Sequence, residues 1–152
     1  MAQITRRVFK SSDRGAELIE LALVLPILLL VFAAIIDFGF LFQRYEVLTN
    51  AAREGARVGV LDGYLEADVD ARVAAYLTSA GLTVTGDPTT LTTSNLALTG
   101  GKTIQVITVT VVYPAQFVNL GSIAGMVGGG GWGSVTLRAS STMRTVVQDV
   151  AG

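Results

Sequence analysis

From Leu21 to Ile36 the chain reads LALVLPILLLVFAAII without one polar side chain, and after Asp37 the apolar run resumes as FGFLF to Phe42. As a helix rising about 1.5 Å per residue, Leu21 to Phe42 is about 33 Å long, enough to cross a hydrocarbon core of about 30 Å. The pattern predicts a membrane-spanning helix over about residues 18–42 that continues as one long helix over 16–61. A turn at LDGY, Leu61 to Tyr64, precedes a second helix at about Glu66 to Ala80. Its Val69, Val73, Tyr76 and Leu77 fall at three- and four-residue steps, and Gly81 stops it. This helix is amphipathic and is expected to cover one face of a sheet.

From Leu82 the composition turns to Thr, Val, Gly and Leu, which is strand chemistry. LTVTG, residues 82–86, reads as a short strand, and DPTTLTTSNLALTGG reads as a polar loop holding one more. The strongest strand is KTIQVITVTVVYP, Lys102 to Pro114. It sets Ile104, Val106, Thr108, Thr110 and Val112 on one face and Gln105, Ile107, Val109, Val111 and Tyr113 on the other. Ser134 to about Val147 alternates in the same way, with Val135, Leu137, Ala139, Ser141 and Met143 against Thr136, Arg138 and Arg144. The fold class is therefore α+β: a long amino-terminal transmembrane helix, then a small extracytoplasmic domain with a second helix packed on an antiparallel sheet. Three regions follow, a basic leader at 1–15, the long helix at 16–61 and the head at 62–152.

Charge sharpens this picture. Only 15% of the 152 residues are charged and the mean hydropathy is +0.56, against about 25% charged in an ordinary soluble domain. Arg6, Arg7, Lys10 and Arg14 face Asp13 alone in the first fifteen residues. Lys and Arg resist translocation, so this head is expected to stay in the cytoplasm and residues 43–152 to lie outside it. A cleaved secretory signal shares the basic start, but its apolar core is usually about 7 to 15 residues. Here the run passes through the small residues at Ala33 and Ala34 without a break.

Catalytic chemistry has little to stand on. There is no His and no Cys, which removes imidazole bases, thiol nucleophiles, disulfides and the usual zinc ligands. Eleven basic against twelve acidic residues leave no positive excess for nucleic acid. Asp62, Glu66, Asp68 and Asp70 crowd the start of the second helix but lack the loop spacing of a calcium site. They suit the positive end of a helix dipole instead. The glycine run Gly128 to Gly131 precedes Trp132 and a strand, not the Lys and helix of a phosphate loop. Trp132 is read either as a contact residue on a loop or as part of local packing. No cofactor, metal or enzyme activity is expected.

Glu20 is an acid at the brink of the apolar helix. A carboxylate in a bilayer costs on the order of 3 kcal/mol, which marks it as a functional candidate. A first-turn position at headgroup depth is the structural alternative for Glu17 and Glu20. Pro26 sits inside the helix and cannot donate to the carbonyl of Ala22. Ala51, Gly55 and Gly59 recur every four residues, a flat stripe against which another backbone can pack, either this chain's own sheet or a second subunit. Asp37 reads as a marker of the outer interface.

Taken together, RGAELIELALVLPILLLVFAAIIDFG and NAAREGAR resemble the TadE-like family of pseudopilins, of the tight-adherence (Tad) branch of type IV pilins. The resemblance covers about residues 14–60 and rests on the combination of Gly15, Glu20, Pro26, IIDFG at 35–39 and NAAREGAR at 50–57. It implies cleavage by a prepilin peptidase on the cytoplasmic side after Gly15, giving a new amino terminus at Ala16. Glu20 then becomes the fifth residue of the processed chain and an assembly determinant. It also implies as partners other pilin or pseudopilin subunits and, indirectly, the Tad assembly platform and ATPase. The implied location is the inner membrane first and an extracellular pilus after processing. The competing reading is an uncut, membrane-tethered binding domain. Within the pilin reading, minor and principal subunits are both open.

Overall fold

The computed structural model describes residues 12–83, 85–97, 103–126 and 133–145. One helix, α1 (Ser12–Gly59), dominates it with 48 residues, about 72 Å of rod. It is followed by α2 (Glu66–Ser79), β1 (Thr89–Ala97), β2 (Thr103–Gln116), α3 (Asn119–Met126) and β3 (Ser134–Arg144). The strands form an antiparallel sheet in the order β1-β2-β3. Both α1 and α2 lie on the same face of that sheet, as the shared core shows.

Each end of α2 is closed by local chemistry. At its start the backbone N–H of Leu65 donates to the Asp68 carboxylate at 3.0 Å, so one of the crowded acids supplies the acid half of a capping box, the Leu65 side chain offering no acceptor in return. At its end the Leu82 N–H reaches the Leu77 carbonyl at 2.9 Å and the Gly81 N–H reaches that of Thr78 at 3.0 Å. This is the Schellman arrangement, and Gly81 adopts the left-handed φ of +77° that it requires. Leu82 is thereby committed to closing the helix and filling the core. The expected short strand at 82–86 is accordingly corrected: Leu82, Thr83, Thr85 and Gly86 form turns and loop.

The core joins four elements: Leu48, Ala51, Ala52 and Ala56 from α1; Val69, Val73 and Leu77 from α2; Ile107, Val109 and Val111 from β2; and Ala139 from β3. Of the two faces read along β2, the one carrying Ile107, Val109 and Val111 is the buried one. Its continuation at Ala115 is buried too, so β2 passes through Pro114. The proline is tolerated because of direction. The Val112 N–H points to the β1 side, where it meets the Pro88 carbonyl at 2.8 Å. Pro114, two residues on, lacks its donor on that same side, beyond the start of β1 at Thr89.

Residues Asn119–Met126 form a helix where the sequence reads as a loop between two strands. Two glycines in eight residues give that segment little helical preference. What holds it is a tertiary contact to α1.

Candidate functional site: the long helix and its junction with the head

Among the described residues the apolar part of α1 is largely uncovered as far as Ile36, with Ala33 and Ala34 half-buried. Leu18, Ile19, Leu21, Leu23 and Ile27, among others through Ile36, are exposed, and no residue of the most apolar window is buried. This is the state of a helix whose solvent is lipid or a neighbouring helix. Gly15 and Ala16 are exposed in the first turns of α1, and a Cβ at Gly15 would meet nothing within 4 Å. Glu20 is exposed on the same bare rod. Pro26 lies within the helix, which continues through it. Arg6, Arg7 and Lys10, like the Gly128–Gly131 run and Trp132, lie outside the described residues.

The head first grips the rod at Asp37, which is 2% exposed. Its carboxylate accepts the backbone N–H of Leu120 at 2.7 Å, that of Asn119 at 3.0 and 3.1 Å, and the Asn119 side-chain amide at 2.9 Å. The first N–H groups of a helix have no partner within it and carry its positive end. An acid from α1 therefore caps α3 across 82 positions of sequence. Asp37 is thus a structural anchor, more than a marker of the membrane boundary. Its signal in the sequence was the single acid within an apolar run. Beside it Phe38 and Phe117 meet edge to face with centroids 6.2 Å apart, and the Arg44 guanidinium donates to the Gln116 carbonyl at 3.3 Å.

Below this junction the small-residue stripe packs within the chain. Ala51 is fully buried. A Cβ at Gly55 would lie 2.6 Å from Val73 Cγ2 and 3.2 Å from Val109 Cγ1, and one at Gly59 would lie 3.3 Å from Ile107 Cγ2. The absent side chains let α1 approach α2 and β2 together. Glu54, on another face of α1, binds Arg72 of α2 at 2.6 Å and Arg57 at 3.5 Å. The Arg72 hydrogen bond, with the Arg57 charge adding to it, holds its carboxyl below the usual carboxylate range.

Residues 15–57 match the TadE-like protein family. The TadE-like segment coincides with the uncovered rod, the Asp37 anchor and the Ala51–Gly55 stripe, and it ends two residues short of the end of α1. The matched segment covers less than a third of the chain and takes in most of the one described helix that is long and apolar enough to cross a membrane. No curated protein and no solved structure shows significant similarity to the chain.

Glu20 and Asp37 are not brought together. Seventeen helical steps separate them by about 25 Å, and they face different surroundings, one bare and one enclosed by α3. The arrangement offers no paired acid and base. What it offers is an exposed apolar rod with a carboxylate near one end and a folded head clamped to the other.

Proposed function

We propose that the chain is a pilin-like subunit, a pseudopilin or minor pilin, of a Tad-type pilus. It is cut after Gly15 by a prepilin peptidase and assembled through α1. The observation that carries this reading is the largely bare stretch from Ala16 to Ile36, which begins just after Gly15 and ends where the Asp37 carboxylate is enclosed by the head. These 21 residues span about 31 Å, the thickness of a hydrocarbon core.

Cleavage after Gly15 removes four cations and one anion, a net +3, from the cytoplasmic end. That charge holds the amino terminus at the inner surface, and its loss permits the helix to move outward. The new α-amino group at Ala16 is positive near neutral pH. In a bundle of processed helices it pairs with Glu20 of a neighbouring subunit, and removal of one partner from such a buried pair costs about 3 to 5 kcal/mol. Gly15 also weakens the first turn, which helps a peptidase to draw the bond into an extended form.

The test is the intact mass of the membrane-extracted protein from cells that make the peptidase. Loss of residues 1–15 is expected. A full-length chain under those conditions overturns the proposal in favour of an uncut tethered domain. Subunit ratios in sheared filaments distinguish a minor from a principal pilin.

A further inference from the structure

The three strands carry no acid at all; their charged residues are Arg138 and Arg144, both on β3. Pairing places them on the face opposite the helices. Arg138 is registered with Val112, Arg144 with Val106, Ser140 with Thr110 and Thr142 with Thr108. Thr90 and Thr92 of β1 extend the same rows. Among the described residues no helix covers this side. Its β1 and β3 residues are exposed, Thr90, Thr92 and Ser94 on one edge and Arg138, Ser140 and Thr142 on the other. The hydroxyls of Thr108 and Thr142 are joined at 2.8 Å. The result is a broad hydroxyl surface with one guanidinium near the middle of β3 and another at its end.

The other side of the head has the opposite character. Glu66, Asp70 and Asp87 gather at the start of α2 and the loop before β1. Burial pushes the Asp70 carboxyl up, and the negative charges of Asp87 and Glu66 push it further. Among the described residues the ion pairs are those of Glu54 with Arg57 and Arg72. The acidic corner and the two strand arginines are thus without ionic partners there.

We propose that the open face of the sheet docks the acidic corner of a second copy of this chain, Arg138 and Arg144 receiving Glu66 and Asp70 over the Ser140–Thr142 row. The inference rests on the subunit reading above and adds to it a head-to-head contact separate from α1. Six residues of strand set the two arginine backbones about 20 Å apart, and Glu66 and Asp70 stand about 6 Å apart, one turn along the same side of α2, so the long arginine side chains must lean towards each other to meet both acids. The two surfaces differ and lie on opposite sides of the head. The contact is therefore heterologous and, unless its rotation closes a ring, open-ended, as a polymer requires.

The full-length chain in neutral detergent provides the test, with self-association read by sedimentation and secondary structure checked by circular dichroism. Arg138→Glu with Arg144→Glu, and separately Glu66→Lys with Asp70→Lys, are each expected to weaken association at least tenfold. An equimolar mixture of the two variants is expected to restore it, because each supplies the surface the other lacks. Arg138→Gln with Arg144→Gln serves as a milder control for folding. Association unchanged by both reversals overturns the proposal, as does a mixture that fails to recover. If the arginine reversals abolish binding to alginate but leave self-association intact, the face reads an acidic polysaccharide and the proposal is likewise overturned. Cleavage and Glu20 are not involved in this readout, so a processed chain with charge-insensitive association refutes the docking alone.

Discussion

The Asp37 carboxylate and the Leu120 backbone N–H lie 2.7 Å apart, joining the end of the bare rod to the first turn of α3. Asp37→Ala leaves the Leu120 and Asn119 donors without that acceptor. Loss of a cap costs about 0.5 to 2 kcal/mol. Faster hydrogen exchange over 119–126 is expected, with a smaller change in Asp37→Asn, which keeps one acceptor oxygen. Unchanged exchange at Leu120 in the alanine variant would refute the capping role.

Gly55 is the tightest point of the α1–α2 contact. Alanine there gains about 1 kcal/mol of helix preference, but its Cβ would stand 2.6 Å from a Val73 methyl carbon. Overpacking of this kind typically costs about 1 to 3 kcal/mol. Gly55→Ala is expected to lower the melting temperature of the detergent-solubilised chain, and adding Val73→Ala to reduce that loss. Additive effects of the two substitutions would exclude the clash.

The two perturbed head carboxylates respond to pH in opposite senses. Glu54 is lowered on folding, chiefly by the Arg72 hydrogen bond. Its stabilisation is present above the ordinary glutamate range and is lost as pH falls through the folded value. Asp70 is raised, chiefly by burial, so its favourable contribution is present at low pH and is lost as pH rises through its folded value. Carboxyl NMR titration is expected to show Glu54 moving up in Arg72→Ala and Asp70 moving down in Asp87→Asn. Movement in the reverse direction at either site would contradict these assignments.

Glu20→Ala separates processing from assembly. Normal loss of residues 1–15 is expected together with a fall in filament incorporation of tenfold or more, read by quantitative mass spectrometry of sheared filaments. Wild-type incorporation of a normally cut variant would rule out the pairing with the Ala16 amine.

How much of this was legible depends on the distance over which each signal acts. The long helix could be read because a bilayer demands a continuous apolar run, and α2 because Gly81 closes it within two residues of its end. Strict alternation revealed β2 and β3. The α3 helix escaped notice since NLGSIAGM has little helical preference of its own and depends on an acid 82 positions away. LTVTG has strand composition, yet Leu82 is taken by the end of α2. The stripe at Ala51, Gly55 and Gly59 was visible as spacing. Which neighbour it meets is decided by the folded positions of Val73, Val109 and Ile107.

The 48 residues of α1 form a single piece from the bare end to the sheet. Traction applied at Ala16 is therefore delivered, without an intervening hinge loop, to the contacts of Ala52 and Gly55. On the subunit reading proposed above, a pull that draws the rod outward would also load the core of the head. The Asp37–α3 clasp is the first of those contacts in the line of force, and a load that opens it would peel the head from the tip of the rod inward.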